Sequence, residues 1–400
     1  MQSVIADKYI LECSSCGRQY NANEVDYLCP VCSRQNTADL PPAGVLKTLY
    51  DYDAMKHKSA KNLFTSLAKS EFIELLPIKS IASLSYLKVG NTPLYQLEIC
   101  EDNQPPHKLL FKDDSQNPTY SYKDRASNLV SAIAKERGIS TIIAASTGNA
   151  GSSLAGIGAA QKQNIIILVP ETAPIAKLVQ IAAYGAQIIP VKGSYDDAFD
   201  LSVLATSKLG IYNRNTAFNP YTIEGKKTAA YELYAQMGEQ IPERIFVPVG
   251  DGCIIAGIYK GYEDLYKLGI IEQLPEIVAV RAQNPATIAD SISVKIPRNY
   301  NLAEKYISEY KGKKLKVTDT AILQASKELS ASYGLFAEPA AAAAYAGYLK
   351  FKANSQIKEN SRNVVLLTGS GLKDVKSVTA MLKLPKSINP SLTELRKMLS

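Results

Sequence analysis

The sequence predicts an α/β protein built on parallel sheets, because short apolar segments alternate with amphipathic helical segments along most of the chain. Several of the short segments are unbroken apolar runs, which is typical of strands covered by helices on both faces. The length of 400 residues suffices for two domains of ordinary size. The predicted strands are 108–112, 141–145, 165–169, 187–191, 244–249, 277–281 and 363–367.

Helical segments fill the intervals between these strands. The alanine run at 340–344 predicts a buried helix, since alanine has the highest helix propensity. Residues 36–45 contain two adjacent prolines, which break regular structure, so they are predicted to link a small module (1–40) to the rest of the chain. The remaining predicted helices are 123–137, 149–162, 174–184 and 224–237.

The composition argues against several classes of protein. Hydrophobic residues make up 46% of the chain and charged residues 21%, which is typical of a globular enzyme with a sizeable core. No apolar run has the length of a transmembrane helix, and the N-terminal residues lack the pattern of a secretory signal. The net charge of +7 is spread along the chain rather than gathered in a basic patch. We therefore expect a cytoplasmic protein that binds neither nucleic acid nor membrane.

Four cysteines near the N-terminus have the spacing of a zinc site. Cys13 and Cys16 form one C-x2-C pair, and Cys29 and Cys32 form a second pair twelve residues later. Each pair can place two thiolates on a tight turn, and four thiolates match the tetrahedral geometry of zinc. Because protein ligands would fill all four positions, we expect a structural Zn²⁺ rather than a catalytic one. The alternatives are a ribbon that recognises another molecule and a site that has lost its metal.

Four segments with glycine, hydroxyl or lysine residues follow predicted strands, which is where open α/β sheets bind their ligands. Lys123 begins a helix after an Asn-Pro turn, a position at which most lysines are simply solvated, so this residue alone indicates little. Glycine permits a phosphate to approach the backbone closely, and backbone N–H groups before a helix favour an anion. A plain helix-capping turn would use the same residue types in the second segment. The segments are NPTYSYKDR (117–125), ASTGNAG (145–151), PVGDGCIIAG (248–257) and LTGSGLKD (367–374).

The first of these segments resembles the lysine motif of fold-type II pyridoxal 5′-phosphate (PLP) enzymes, above all the threonine synthase group, whose usual form is NPTGSFKDR. The other three segments follow in the order of that group, and some threonine synthases also carry a zinc ribbon. The similarity therefore extends over nearly the whole chain. Further matching segments are VGNTPL (89–94), NPYTIEGKKT (219–228), TIADSI (287–292) and AEPAAAA (337–343).

The resemblance implies a tryptophan synthase β-like fold with two parallel α/β domains in addition to the ribbon. Residues 41–117 and 221–400 would form the large PLP-binding domain. Residues 118–220 would form the smaller domain that carries Lys123 and the loop for the substrate carboxylate. Dimers are usual for this fold, so the resemblance also implies a homodimer.

The resemblance further implies a role for each motif. Lys123 would carry PLP as a Schiff base and act as the catalytic acid and base. Asn149 would bond the 3′-oxygen of the cofactor, and the Thr368 hydroxyl would meet its pyridine nitrogen. The carboxylate of Asp251 should point away from the cofactor phosphate, because the two negative charges repel each other. The loop expected to hold that phosphate comprises Gly250, Asp251, Gly252, Cys253 and Ile254, and the loop expected to hold the substrate carboxylate comprises Ser146, Thr147 and Gly148.

Two residues on the substrate side depart from the family pattern. Thr222 stands where an arginine is expected to bind the substrate phosphate, and Lys226 replaces a glutamine nearby. Tyr120 stands where glycine is usual, three residues before Lys123. Both Tyr120 and Thr222 are therefore predicted to shape the substrate site, whereas the cofactor side of the pattern is intact.

These features support one leading hypothesis and two alternatives. The first is a threonine synthase, a PLP-dependent lyase of threonine biosynthesis that converts O-phosphohomoserine and water to threonine and phosphate. The second is another enzyme of the same fold, such as cysteate synthase (O-phosphoserine and sulfite) or a threonine or diaminopropionate lyase. The third is a catalytically silent PLP-fold protein or a ribbon-based binding module. The joint presence of Lys123, Asn149 and Thr368 argues against the third.

Overall fold

A computed structural model describes residues 8–37, 39–56, 62–101, 104–379, 382, 385 and 387–399. These residues form three β-sheets and the helices that pack around them. Within the described ranges, no helix combines the length and the hydropathy that crossing a membrane requires.

The strands and helices are defined here in chain order. The strands are β1 (Tyr9–Cys13), β2 (Gln19–Asn21), β3 (Leu46–Tyr50), β4 (Leu94–Ile99), β5 (His107–Asp113), β6 (Thr141–Ala145), β7 (Asn164–Pro170), β8 (Gln187–Val191), β9 (Tyr212–Asn213), β10 (Arg244–Pro248), β11 (Glu276–Ala282), β12 (Lys313–Val317) and β13 (Arg362–Leu367). The helices are α1 (Tyr52–Lys56), α2 (Leu63–Lys69), α3 (Lys123–Glu136), α4 (Asn149–Ala160), α5 (Ile175–Ala183), α6 (Tyr195–Leu209), α7 (Tyr221–Lys226), α8 (Thr228–Gln236), α9 (Cys253–Lys267), α10 (Tyr300–Glu309), α11 (Asp319–Tyr333), α12 (Pro339–Ala353), α13 (Val375–Thr379) and α14 (Leu392–Leu399).

The N-terminal module is built on an antiparallel sheet with the strand order β2-β1-β3. Strand β1 ends at Cys13, so the strand itself positions the first C-x2-C pair. Strand β3 pairs with the whole of β1, from Tyr9 opposite Tyr50 to Cys13 opposite Leu46. The small sheet therefore includes chain beyond the predicted proline linker, because the apolar residues of β3 are buried against β1.

The largest sheet has the strand order β12-β11-β10-β13-β5-β4. Its strands run parallel except for β4, which pairs antiparallel with β5 at the edge. The central strands β10 and β13 are buried along almost their whole length, as expected of strands covered on both faces. Helix α12 packs on β10 and β13, and its run of buried alanines permits this close approach.

A second parallel sheet has the strand order β8-β7-β6-β9. Helices α3 and α4, which follow β5 and β6 in the chain, pack against each other. The two parallel sheets and their helices confirm the predicted α/β class. Each of the seven predicted strands is present within one or two residues of its predicted ends.

The structure also differs from the prediction at several elements. Strands β4, β9 and β12 were not predicted, and the predicted helix 224–237 is divided into α7 and α8 at Lys227. Strand β12 has the sequence KKLKV and lies at the edge of the large sheet. Lysine is common on edge strands because it hinders pairing with other chains. The lysines of β12 therefore replace the apolar residues by which a strand is recognised in the sequence.

Candidate active site

The residues predicted to bind the cofactor line one cleft. The contributing loops follow β6, β10 and β13, or precede α3, at the carboxyl ends of parallel strands. Their convergence was not visible in the sequence order alone, since more than 240 residues separate the first from the last. The predicted residues that line the cleft are Lys123, Asn149, Gly250, Asp251, Gly252, Cys253, Ile254 and Thr368.

Lys123 is the first residue of α3, and the backbone around it is fixed from the opposite side of the cleft. The N–H of Tyr122 donates to the Thr368 carbonyl oxygen at 2.9 Å, and Ser121 forms a β-bridge with Gly369. The amine of Lys123 forms no hydrogen bond with any residue that the structure describes. Burial lowers the pKa of this amine, which Asp251 partly offsets. A lysine with a lowered pKa is suited to condensing with an aldehyde.

The loop before α9 forms a cradle that leaves no room for side chains at two glycines. A Cβ atom at Gly250 would lie 2.8 Å from the Ile292 Cα atom. A Cβ atom at Gly252 would lie 2.9 Å from the Ala303 Cβ atom, and Gly252 also has a φ of +90°, which favours glycine. The first N–H groups of α9 and its helix dipole favour a phosphate at this end of the cleft.

The carboxylate of Asp251 is engaged with the neighbouring segment. Its Oδ1 atom accepts a hydrogen bond from the Arg298 backbone N–H at 3.0 Å, and the Asn299 N–H donates to the Asp251 carbonyl oxygen. These contacts fix the loop. The Asp251 carboxylate accepts its hydrogen bond from the protein backbone at Arg298 and not from a bound ligand.

Asn149 begins α4 and faces a carboxylate across the cleft. Its Nδ2 atom donates to both oxygens of Glu338, at 3.0 and 3.1 Å, and lies 3.2 Å from the Ser291 hydroxyl. Burial raises the pKa of Glu338, whereas donation from Asn149 lowers it in part. Thr368 is buried at the opposite wall, and its hydroxyl forms no hydrogen bond with another described residue.

The predicted substrate residues lie outside the lining of this cleft. Ser146, Thr147 and Gly148 directly precede the cleft residue Asn149, and the Gly148 N–H donates to the Ser146 hydroxyl at 3.3 Å. Thr222 is fully buried, and its hydroxyl donates to the Asn219 carbonyl oxygen at 2.8 Å. It therefore offers no donor to a ligand.

Tyr120 has a backbone conformation that ordinarily favours glycine. Its φ is +69°, and its side chain is 49% exposed. Hydrogen bonds hold this conformation on both sides: the Tyr120 N–H donates to the Asn117 carbonyl oxygen at 2.8 Å, and the Ser370 N–H donates to the Tyr120 carbonyl oxygen at 3.1 Å. The turn therefore places a large ring at a backbone conformation that glycine adopts without strain.

The four N-terminal cysteines form one cluster, with all sulfur atoms within 4.8 Å of one another. The Sγ atoms of Cys13 and Cys32 are 3.8 Å apart, and those of Cys16 and Cys29 are 3.9 Å apart. Zinc–sulfur bonds of about 2.3 Å in a tetrahedron place the sulfurs about 3.8 Å apart. All four cysteines are free thiols, so the donor set and its dimensions fit Zn²⁺.

Several cleft residues had no role in the sequence prediction. Glu338 and Ser291 lie in segments that match the family pattern, but neither was assigned a contact. The sequence contains one hint that Glu338 is unusual. This charged residue directly precedes Pro339, the first residue of α12, and the first turn of that helix is otherwise apolar. The other cleft residues without a predicted role are Tyr122, Thr216, Pro248, Ile292 and Ala340.

Comparison with known proteins assigns the family. The sequence pattern of the family described as "Pyridoxal-phosphate dependent enzyme" matches residues 86–369, which includes every residue that lines the cleft. The chain belongs to this family. The chain is 34% identical to the threonine synthase of Methanocaldococcus jannaschii, over 97% of this chain and 98% of that protein. It is 31% identical to the threonine synthase of Methanosarcina acetivorans over the same shares of the two chains.

Solved structures of PLP enzymes share the fold of this threonine synthase-like family member. Threonine deaminase isoform 2 from Solanum lycopersicum has a TM-score of 0.64 and 21% identity, covering 81% of this chain and 89% of that chain. Diaminopropionate ammonia lyase from Escherichia coli has a TM-score of 0.63 and 17% identity, covering 75% of this chain and 88% of that chain. These likenesses confirm the predicted fold-type II architecture.

Proposed function

We propose that this PLP-dependent enzyme is a threonine synthase that converts O-phosphohomoserine and water to threonine and phosphate. The observation that carries the proposal is the similarity over 97% of the chain to proteins with that name, which extends through both the ribbon and the cleft. The cleft supports it, because a lysine amine, a glycine cradle and a free hydroxyl line the same space.

The residues of the cleft can each contribute to this reaction. PLP, when bound, supplies an aldehyde and a conjugated ring that withdraws electrons from the substrate Cα atom. The α9 loop from Gly250 to Ile254 would hold its phosphate, and Asn149 and Thr368 would contact its ring. Because the Thr368 hydroxyl is neutral, it would not keep the ring nitrogen protonated as a carboxylate would, which favours elimination and replacement over transamination.

The amine of Lys123 would move the protons. With its pKa lowered by burial, it can accept the proton of the substrate Cα and then one from Cβ. Loss of the second proton allows the phosphate to leave from Cγ. One of the two protons is then returned to Cγ, which becomes the methyl group, and the other to Cα, while water adds its hydroxyl at Cβ and gives its remaining proton to the phosphate. The loop Ser146–Gly148 would fix the substrate carboxylate, since its backbone N–H groups precede helix α4.

A product assay tests the proposal and its main competitor. Purified protein with PLP would receive O-phosphohomoserine in one reaction and O-phosphoserine with sulfite in another. We expect threonine and phosphate from the first reaction and no cysteate from the second. Cysteate without threonine would instead identify a cysteate synthase.

We also propose that the ribbon binds one structural Zn²⁺ through Cys13, Cys16, Cys29 and Cys32. The sulfur distances support a tetrahedral site, and four protein thiolates leave no position for a substrate. All six cysteines are free, which supports a reducing compartment such as the cytoplasm.

The domain division 1–40, 41–117 with 221–400, and 118–220 remains our proposal. It is supported by the origin of the strands, since the largest sheet uses strands before 117 and after 221 and the second parallel sheet uses 141–213. We propose a homodimer by analogy with the fold, and light scattering at several protein concentrations tests it.

A further inference from the structure

Two buried cations beside the cleft lack a carboxylate partner. Arg214 and Lys226 are both fully buried, and neither forms an ion pair with any residue that the structure describes. Burial of an unpaired charge is costly, so such a group points to a ligand that supplies the missing charge. The other buried lysines and arginines in the described ranges each have a carboxylate partner: Lys47, Lys112, Arg125, Lys227, Arg244 and Lys260.

Arg214 is held in place but keeps part of its guanidinium free. Its backbone N–H donates to the Ile143 carbonyl oxygen at 2.9 Å, one residue after β9. Its Nε atom donates to the Ser127 hydroxyl at 3.2 Å, and its Nη1 atom donates to the Thr216 hydroxyl at 3.0 Å. The Nη2 atom is buried without a hydrogen-bond acceptor. Because Thr216 lines the cleft, the guanidinium lies directly behind the cleft wall.

Lys226 approaches the same region from α7. Its Nζ atom donates to the Thr222 carbonyl oxygen at 3.1 Å and has no other hydrogen bond among the described residues. Its carbonyl oxygen accepts from the hydroxyl of the cleft residue Tyr122 at 2.7 Å. A Cβ atom at Gly257 of α9 would lie 2.6 Å from the Lys226 Cβ atom, so the lysine packs directly on the helix that begins at Cys253.

The charges at this end of the cleft act on one another. Burial, together with the charges of Arg214 and Lys123, lowers the pKa of Lys226 to about 7, although Cys253 and Asp251 raise it in part. Burial also lowers the pKa of Arg214 to about 10. Lys123, Arg214 and Lys226 repel one another when all three are charged, and an anion bound between them would offset that repulsion. A phosphoryl dianion has both the negative charge and the hydrogen-bond acceptors that such a site requires.

We propose that Arg214 and Lys226 bind the phosphoryl group of the amino acid substrate. This inference rests on the proposed function. Arg214 and Lys226 would supply the positive charge that is missing because Thr222 stands in place of the expected arginine. Arg214 extends from the second parallel sheet beside the predicted carboxylate loop, whereas the glycine cradle of the cofactor follows β10 of the other sheet. The position of Arg214 therefore favours the substrate over the cofactor as the source of the phosphoryl group.

Ligand binding to the PLP-loaded protein separates this role from a structural one. The probes are the phosphonate analogue of O-phosphohomoserine and norvaline, which has the same carbon chain length without the phosphonate. Binding is measured from the change in cofactor absorbance. In Arg214→Gln and Lys226→Gln, we expect the phosphonate Kd to rise on the order of 10- to 100-fold, which corresponds to loss of a charge-assisted hydrogen bond. The norvaline Kd and the PLP Kd should stay unchanged.

Two further variants control for folding and for loss of charge in general. Arg214→Lys should keep part of the phosphonate preference. Lys227→Gln removes the adjacent buried cation, which is paired with Asp264, and should lower the melting temperature without changing the ratio of the two Kd values. An unchanged phosphonate Kd in both glutamine variants would overturn the inference, as would an equal rise for norvaline or for PLP. Threonine formation by the unaltered protein is scored separately, so failure of the proposed function remains distinguishable.

Discussion

The Nδ2 atom of Asn149 lies 3.0 and 3.1 Å from the two carboxylate oxygens of Glu338, inside the cleft that contains Lys123. The carboxylate therefore orients an amide that is proposed to contact the cofactor ring. Gly369 leaves space for it, since a Cβ atom there would lie 2.6 Å from a Glu338 oxygen. The loops that carry Asn149 and Gly369 thus both pack against one buried carboxylate.

Glu338→Gln should weaken cofactor binding while the protein stays folded. Glutamine keeps the shape but offers one acceptor oxygen instead of two, so Asn149 would be held less firmly. We expect the PLP Kd to rise about tenfold, equivalent to about 1.4 kcal/mol. Equilibrium titration of the cofactor absorbance measures it. Glu328→Gln, which affects a carboxylate bonded to Tyr345 outside the cleft, should leave the PLP Kd unchanged. Equal affinity in the two variants would contradict the role of Glu338.

Tyr120→Gly should lower the free energy of unfolding by less than the loss of a tyrosine side chain usually does. The φ of +69° strains a residue with a Cβ atom, and glycine would relieve about 1 kcal/mol of that strain. We expect an equal or higher free energy of unfolding in urea than for Tyr120→Ala, which removes the ring but keeps the strain. If Tyr120→Gly proves less stable than Tyr120→Ala, the backbone strain is not significant.

The sequence was sufficient to predict the strands whose hydrophobic pattern agrees with their burial in the structure. Strand β6, TIIAA, is buried along four of its five positions, and its apolar run predicted it at its observed bounds. Strand β4, LYQLEI, is an exposed edge strand with mixed polarity, and β12 carries three lysines. Edge strands bury little surface, so their hydrophobic pattern is weak.

The same limit applies to the candidate site. The glycine loop and Lys123 have local motifs, so the sequence could identify them, and the structure brings their side chains to one cleft. Arg214 lies in none of the matching segments, and Glu338 lies in one of them, AEPAAAA, without an assigned contact. Both residues are buried. Arg214 lacks a charged partner among the described residues and Glu338 accepts from Asn149, and these relationships depend on segments that are distant in the sequence. Thr222 could be recognised as a departure, but its hydrogen bond to Asn219 could not.

Zinc removal should affect stability through the ribbon. Cys16→Ser removes one ligand, so we expect metal analysis to fall from about one zinc ion per chain to a small fraction. The melting temperature should fall with it, because the cluster joins the end of β1 to the turn at Cys29. Cys100→Ser changes an exposed cysteine outside the cluster and serves as the matched control. Full zinc content in Cys16→Ser would exclude the proposed ligand set.

The stability difference between Lys226→Gln and the unaltered protein should depend on pH. The folded-state pKa of Lys226 is about 7, below the ordinary lysine value of 10.5. Between these values the folded state binds fewer protons than the unfolded state, so this group makes the free energy of unfolding rise with pH. The glutamine variant lacks that rise. We expect it to be the more stable protein near pH 6 and to lose this advantage progressively between about pH 7 and pH 10.5 in urea titrations. A constant difference would contradict the lowered pKa.

The most direct test of the cofactor assignment is to locate the covalent attachment of PLP. The protein purified with PLP is reduced with borohydride, digested and analysed by mass spectrometry. The cleft geometry predicts a pyridoxyl phosphate label on Lys123, whose amine is unpaired among the described residues and faces the glycine cradle. Lys123→Ala should lose both the label and the cofactor absorbance. A label on Lys226 or another lysine, or an unaltered absorbance in Lys123→Ala, would contradict the assignment.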